Sequence, residues 1–132
     1  MRKNKLGAIV FLVALSVTGL NAFAANGESV SASISKTHTE AKSTLSIWNC
    51  QGAMELDGTN KSDSTNSLYV QYYEQRNYSL DRKETEFLLP KGHSDSYIWT
   101  LNSYNSGGAY YVKLNPKGAL QTGCNGSGTL YD

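Results

Sequence analysis

Leu68-Tyr69-Val70-Gln71-Tyr72-Tyr73-Glu74-Gln75 decides the fold. Leu68, Val70 and Tyr72 fall on one parity, Tyr69, Gln71 and Tyr73 on the other. Successive side chains of a strand point to opposite faces, so this alternation predicts a strand over Leu68–Gln75. The aliphatic parity faces a core; Tyr69, Gln71, Tyr73 and Gln75 face solvent. Exposed rings beside amides suit stacking on sugars or a protein interface, where tyrosine adds contact area at little entropic cost. Tyr111 and Lys113 extend the same face. The competing reading is that tyrosine here only fills an antiparallel surface.

The neighbouring segments carry the same period. Val30, Ala32 and Ile34 alternate with Ser31, Ser33 and Ser35, which reads as an edge strand. Trp48, Cys50, Gly52, Met54 and Leu56 share a parity and predict one strand over Leu45–Leu56. Asp57-Gly58 opens a polar stretch to Asn66 and predicts a turn and loop. A short strand follows at Thr85–Leu89, ended by Pro90-Lys91-Gly92. Tyr97, Trp99 and Leu101, then Tyr110, Val112 and Leu114, flank a glycine-bearing loop and predict a hairpin. Pro116-Lys117-Gly118 marks another turn. Gly123 to Gly128 is too glycine-rich for a strand interior, so Cys124 is placed at an edge or bulge and Thr129–Tyr131 closes the sheet. No window outside the N-terminal segment reads as an amphipathic helix. The expected architecture is all-β, a small antiparallel β-sandwich or barrel of six or seven short strands with one disulfide. The immunoglobulin pattern does not fit, because no Trp follows Cys50 at the required spacing.

At 132 residues, one domain is expected. Arg2, Lys3 and Lys5 precede an uncharged run from Leu6 to Leu20, followed by small residues at Ala22 and Ala24. This is the three-part pattern of a signal peptide spanning residues 1–24, with cleavage after Ala24 and a secreted β domain over 25–132. The apolar run is short of the roughly 20 residues a membrane span needs. The exported part then carries nine Lys plus Arg against eleven Asp plus Glu, a net of −2. That balance argues against nucleic acid and against adhesion to an anionic membrane surface. The lysine-rich leader points to a bacterium. Oxidising export makes Cys50 and Cys124 the expected bridge, since only one pairing is possible.

Catalytic signatures are weak. No Gly-x-Ser-x-Gly occurs. His38-x-Glu40 and His93-x-Asp95 could supply metal ligands only if two distant segments were neighbours, so no metal and no cofactor is expected. Glu84 and Glu86 share a predicted strand face but read as a charged, protected edge rather than as a glycosidase pair. Asn60-Lys61-Ser62, Asn77-Tyr78-Ser79 and Asn125-Gly126-Ser127 match the glycosylation acceptor pattern, which carries little meaning in a bacterium. The functional expectation is a secreted, non-catalytic module that binds a protein or cell-envelope carbohydrate. Its candidate ligand-binding residues are Tyr69, Gln71, Tyr73 and Tyr111. The alternative is a secreted antagonist, either a bacteriocin-like toxin or an inhibitor of a foreign enzyme. A small hydrolase ranks third, lacking a coherent acid–base or nucleophile set.

Overall fold

A computed structural model describes residues 29–48, 53–100, 108–118 and 120–132, the side chains of Trp99 and Thr100 excepted. The predicted signal peptide lies outside these residues. The described chain forms nine strands and no helix: β1 Ser29–Ile34, β2 Ala41–Lys42, β3 Ile47–Trp48, β4 Ala53–Asn60, β5 Leu68–Gln75, β6 Arg82–Leu89, β7 His93–Thr100, β8 Ala109–Pro116 and β9 Gly126–Tyr131. They make two antiparallel sheets. Sheet A runs β2-β8-β5-β6, with β3 also on β8; sheet B runs β1-β9-β4-β7. Two sheets wound in this order are a jelly roll, a β-sandwich of two Greek keys.

The strands form because their apolar residues keep the period of two. Val30, Ala32 and Ile34 on β1 and Met54 and Leu56 on β4 are buried, as is Leu130 on β9. They meet Leu68, Val70 and Tyr72 on β5, Phe87 and Leu89 on β6, and Tyr110, Val112 and Leu114 on β8. Each large side chain buried this way contributes about 1.5–3 kcal/mol. Tyr72 and Tyr110 meet edge to face at 5.9 Å and fill one end of the core.

Several sequence expectations fail, the count of six or seven strands among them, because alternation fixes a strand's faces and leaves its partner open. Tyr97–Leu114 is not a hairpin. β7 pairs with β4 in sheet B, and β8 pairs with β5 in sheet A. The Leu45–Leu56 strand is two strands, because β3 joins sheet A while β4 joins sheet B. Asp57 and Gly58 do not turn; they continue β4 to Asn60. Glycine at position 58 answers the opposite sheet, since a Cβ there would lie 2.7 Å from Val70 Cγ2 and 3.0 Å from Leu89 Cδ1. The glycines of β9 act alike. Gly126 opens β9 and Gly128 lies within it, both buried between β1 and β4, and a Cβ on Gly126 would sit 2.3 Å from the Thr59 carbonyl oxygen.

Of the predicted bridge, Cys50 lies outside the described residues. Cys124 is buried, with Sγ 3.4 and 3.3 Å from the carbonyl oxygens of Asn66 and Ser67. Those residues sit at the end of the sandwich where Asn60 pairs with Gly126.

Candidate functional site

The outer face of sheet A carries all four predicted contact residues. Tyr69, Gln71 and Tyr73 project from β5 on the parity opposite to Leu68, Val70 and Tyr72, and Tyr111 projects from the adjoining β8. The register sets their neighbours. Tyr69 lies between Leu88 and Asn115, Gln71 between Glu86 and Lys113, and Tyr73 between Lys83 and Tyr111.

Tyr73 and Tyr111 stack, with ring centroids 5.6 Å apart and planes inclined by 13°. Lysine ammoniums close over them: Lys113 Nζ lies 5.7 Å from the Tyr73 centroid, and Lys42 Nζ lies 5.7 Å from that of Tyr111. Such placements draw on the negative face of the ring. Lys113 also pairs with Glu40 at 3.1 Å. The Tyr111 hydroxyl donates to Asp81 Oδ2 at 2.7 Å, and burial together with that carboxylate pushes its pKa well above the ordinary tyrosine value. Tyr111 is therefore a neutral donor, unsuited to act as a base. Its partner Asp81 is held below the usual carboxylate range by the Arg76 backbone N–H and the Tyr111 hydroxyl.

Gln71 departs from expectation. It stands on the outward parity, yet only 6% of it is exposed. Its Nε2 donates to Glu86 Oε2 at 2.8 Å, and Lys83 Nζ reaches the same oxygen at 3.0 Å. These contacts lower the Glu86 pKa, the Gln71 hydrogen bond most, and keep the carboxylate ionised. A β-bulge makes this possible: β6 skips one residue between Thr85, opposite Tyr72, and Lys83, opposite Tyr73. Lys83 rather than Glu84 therefore stands opposite Tyr73, while Glu84 pairs with Arg82 at 2.6 Å. Glu84 and Glu86 serve separate ion pairs.

Beside Gln71 the face dips into an open depression of about 320 Å³, lined by Tyr69, Gln71, Lys83, Glu86, Asn115, Pro116 and Gly118. Sequence reasoning reached Tyr69 and Gln71 but missed Lys83, Glu86 and Asn115, because strand partners are not written in local pattern. It also missed the loop after β5. Tyr78 and Leu80 there are 101% and 91% exposed, a signal available from two apolar residues inside a polar connection.

The remaining candidates are dispersed. His38 bonds to Ser35 Oγ just beyond β1, whereas His93 opens β7, and β9 and β4 separate those two edges of sheet B. Among the described residues, no group of three or more His, Cys, Asp or Glu side chains is placed to hold a metal. Asn60 of the first acceptor tripeptide is fully buried, donating to the carbonyls of Asn66 and Leu89.

No family model matches the chain. No curated protein matches it either. Solved structures give distant likenesses. A crystal structure of tripeptidyl peptidase 2 aligns over 84% of this chain with a TM-score of 0.50 and 7% identity. The chain spans only 10% of that protein's length. The Yersinia pseudotuberculosis-derived mitogen aligns over 79% of this chain and 83% of its own, with a TM-score of 0.44 and 13% identity. Murine APRIL aligns over 80% of this chain and all of its own, with a TM-score of 0.42 and 11% identity. At these identities the likeness concerns the fold alone, since one fold hosts many functions.

Proposed function

We propose that this protein is exported from a bacterium after cleavage behind Ala24, and that it acts as a non-catalytic binding module. Its contact surface is the outer face of sheet A, and its target is a protein or a cell-envelope glycan. The observation that carries this reading is the convergence of Tyr69, Gln71, Tyr73 and Tyr111 on one face, next to an open depression. Aromatic surface with fixed polar groups is what binding sites use for area and orientation. The rigidity of the face supports it as well. Tyr73, Tyr111, Glu86 and Asp81 are already held by ring and hydrogen-bond contacts, so little ordering remains to be done on binding.

The test uses purified protein spanning residues 25–132. Retention on isolated cell envelopes or on an envelope protein array supports the module. Growth inhibition of neighbouring bacteria without such retention overturns it in favour of a secreted antagonist.

A further inference from the structure

The Gln71 amide has one satisfied end and one unsatisfied end. Its orientation is set by Glu86, because turning the carbonyl toward that carboxylate would oppose two acceptors. Nε2 therefore donates to Glu86, and Oε1 is left buried with no hydrogen-bond partner. A buried acceptor without a donor costs free energy, roughly 1–3 kcal/mol. Gln71 nonetheless lines the depression together with Tyr69 and Asn115. Core packing does not call for an amide here, since the core lies on the other side of the sheet.

The surrounding groups narrow what could satisfy it. Gln71 Oε1 and the Glu86 carboxylate accept, the Asn115 amide donates and accepts, and the Tyr69 ring offers an apolar face. The one ammonium lining the depression, that of Lys83, is already paired with Glu86. An anion would find no free cation there and would meet a carboxylate. A neutral polyol ring brings hydroxyl donors for the two acceptors and a C–H face for the tyrosine.

We infer that the depression is a saccharide subsite, in which a sugar hydroxyl donates to Gln71 Oε1 while the ring lies against Tyr69. This deepens the proposed binding function and rests on it. Oε1 is covered in the free protein, so a ligand reaches it when a covering side chain swings aside. The specificity follows from Gln71: a sugar lacking a hydroxyl at the bonded position leaves the acceptor unpaired and binds more weakly.

The experiment is titration of ¹⁵N-labelled protein with soluble neutral saccharides, including glucose, galactose, mannose and N-acetylglucosamine oligomers, followed by amide spectra. The inference expects one of them to shift the Gln71 side-chain NH₂, Asn115 and Gly118 signals. It expects Q71L, with an otherwise unchanged spectrum, to bind that sugar at least tenfold more weakly. N115A provides a second variant should Q71L fold poorly. The inference is overturned if no saccharide moves these signals, or if both variants bind as the wild type does. Should no sugar bind while envelope retention still depends on the sheet A tyrosines, the subsite is wrong and the binding module stands.

Discussion

The Tyr111 hydroxyl donates to Asp81 Oδ2 at 2.7 Å and so ties β8 to the loop that follows β5. Asp81 Oδ1 accepts the Arg76 backbone N–H at 3.0 Å, so one carboxylate fastens both ends of the connection to the outer face of sheet A. The loop that carries exposed Tyr78 and Leu80 is thereby anchored beside the stacked tyrosines.

That anchoring makes stability depend on pH from both sides. The Asp81 pKa is lowered on folding, so its contribution is complete above the ordinary carboxylate value and is lost as pH falls through the lowered one. Glu86 and Asp63 are lowered too and act in the same direction. The Tyr111 pKa is raised, so its neutral form is favoured by folding and its contribution fades as pH rises above about 10. Thermal melts should show a plateau near neutrality with a fall below about pH 4. Spectrophotometric titration should show Tyr111 ionising above the ordinary tyrosine value, a contribution that Tyr111→Phe removes.

The two faces of β5 should respond differently to truncation. Tyr72→Ser empties a core site packed against Tyr110 and should cost about 3–5 kcal/mol. Tyr73→Ser loses the stack on Tyr111 and should cost about 0.5–1.5 kcal/mol. Tyr78→Ser, on the exposed loop, should fall within about 0.5 kcal/mol of the wild type. Chemical denaturation of the three variants checks this order, and a Tyr72→Ser as mild as Tyr78→Ser would contradict the register.

What could be read from the sequence, and what could not, follows from the range of the interactions. The parity of Leu68–Gln75 is local, and the buried and outward sets fall where alternation puts them, with Gln71 covered by its neighbours. The partners of β7, β8 and β3 are set across the sandwich, and no local pattern encodes them. Gly58, Gly126 and Gly128 look like turn residues because their reason lies in the atoms facing them from other strands. The candidate site divides along the same line. Its tyrosines were visible as a parity, whereas Lys83, Glu86 and Asn115 joined them through pairing and a bulge.

Gly58→Ala tests that account of the glycines. The added methyl meets Val70, Leu89 and Phe87, and overpacking of this kind costs typically 1–3 kcal/mol. Gly126→Ala meets backbone at the Thr59 carbonyl, which yields less readily than a side chain, and should be the worse of the two. Melting temperatures of both variants against the wild type measure the difference.

Cys124 should behave as a protected thiol. Burial pushes its pKa up and shields Sγ, so it should label slowly in the native protein and readily after denaturation without reductant. A mass two hydrogens lower, with no thiol reactive after denaturation, would show Cys124 bridged to Cys50 instead.

The central claim, that the outer face of sheet A is the contact surface, is tested most directly by envelope retention of two folded variants. One is Tyr69→Ser combined with Tyr73→Ser. The other is Ser31→Ala combined with Thr129→Ala, whose hydroxyls bond to each other at 2.8 Å on the outer face of sheet B. The account predicts that the tyrosine variant loses retention while the sheet B variant keeps it. Retention equal to wild type in the tyrosine variant, or lost only in the sheet B variant, would contradict the claim.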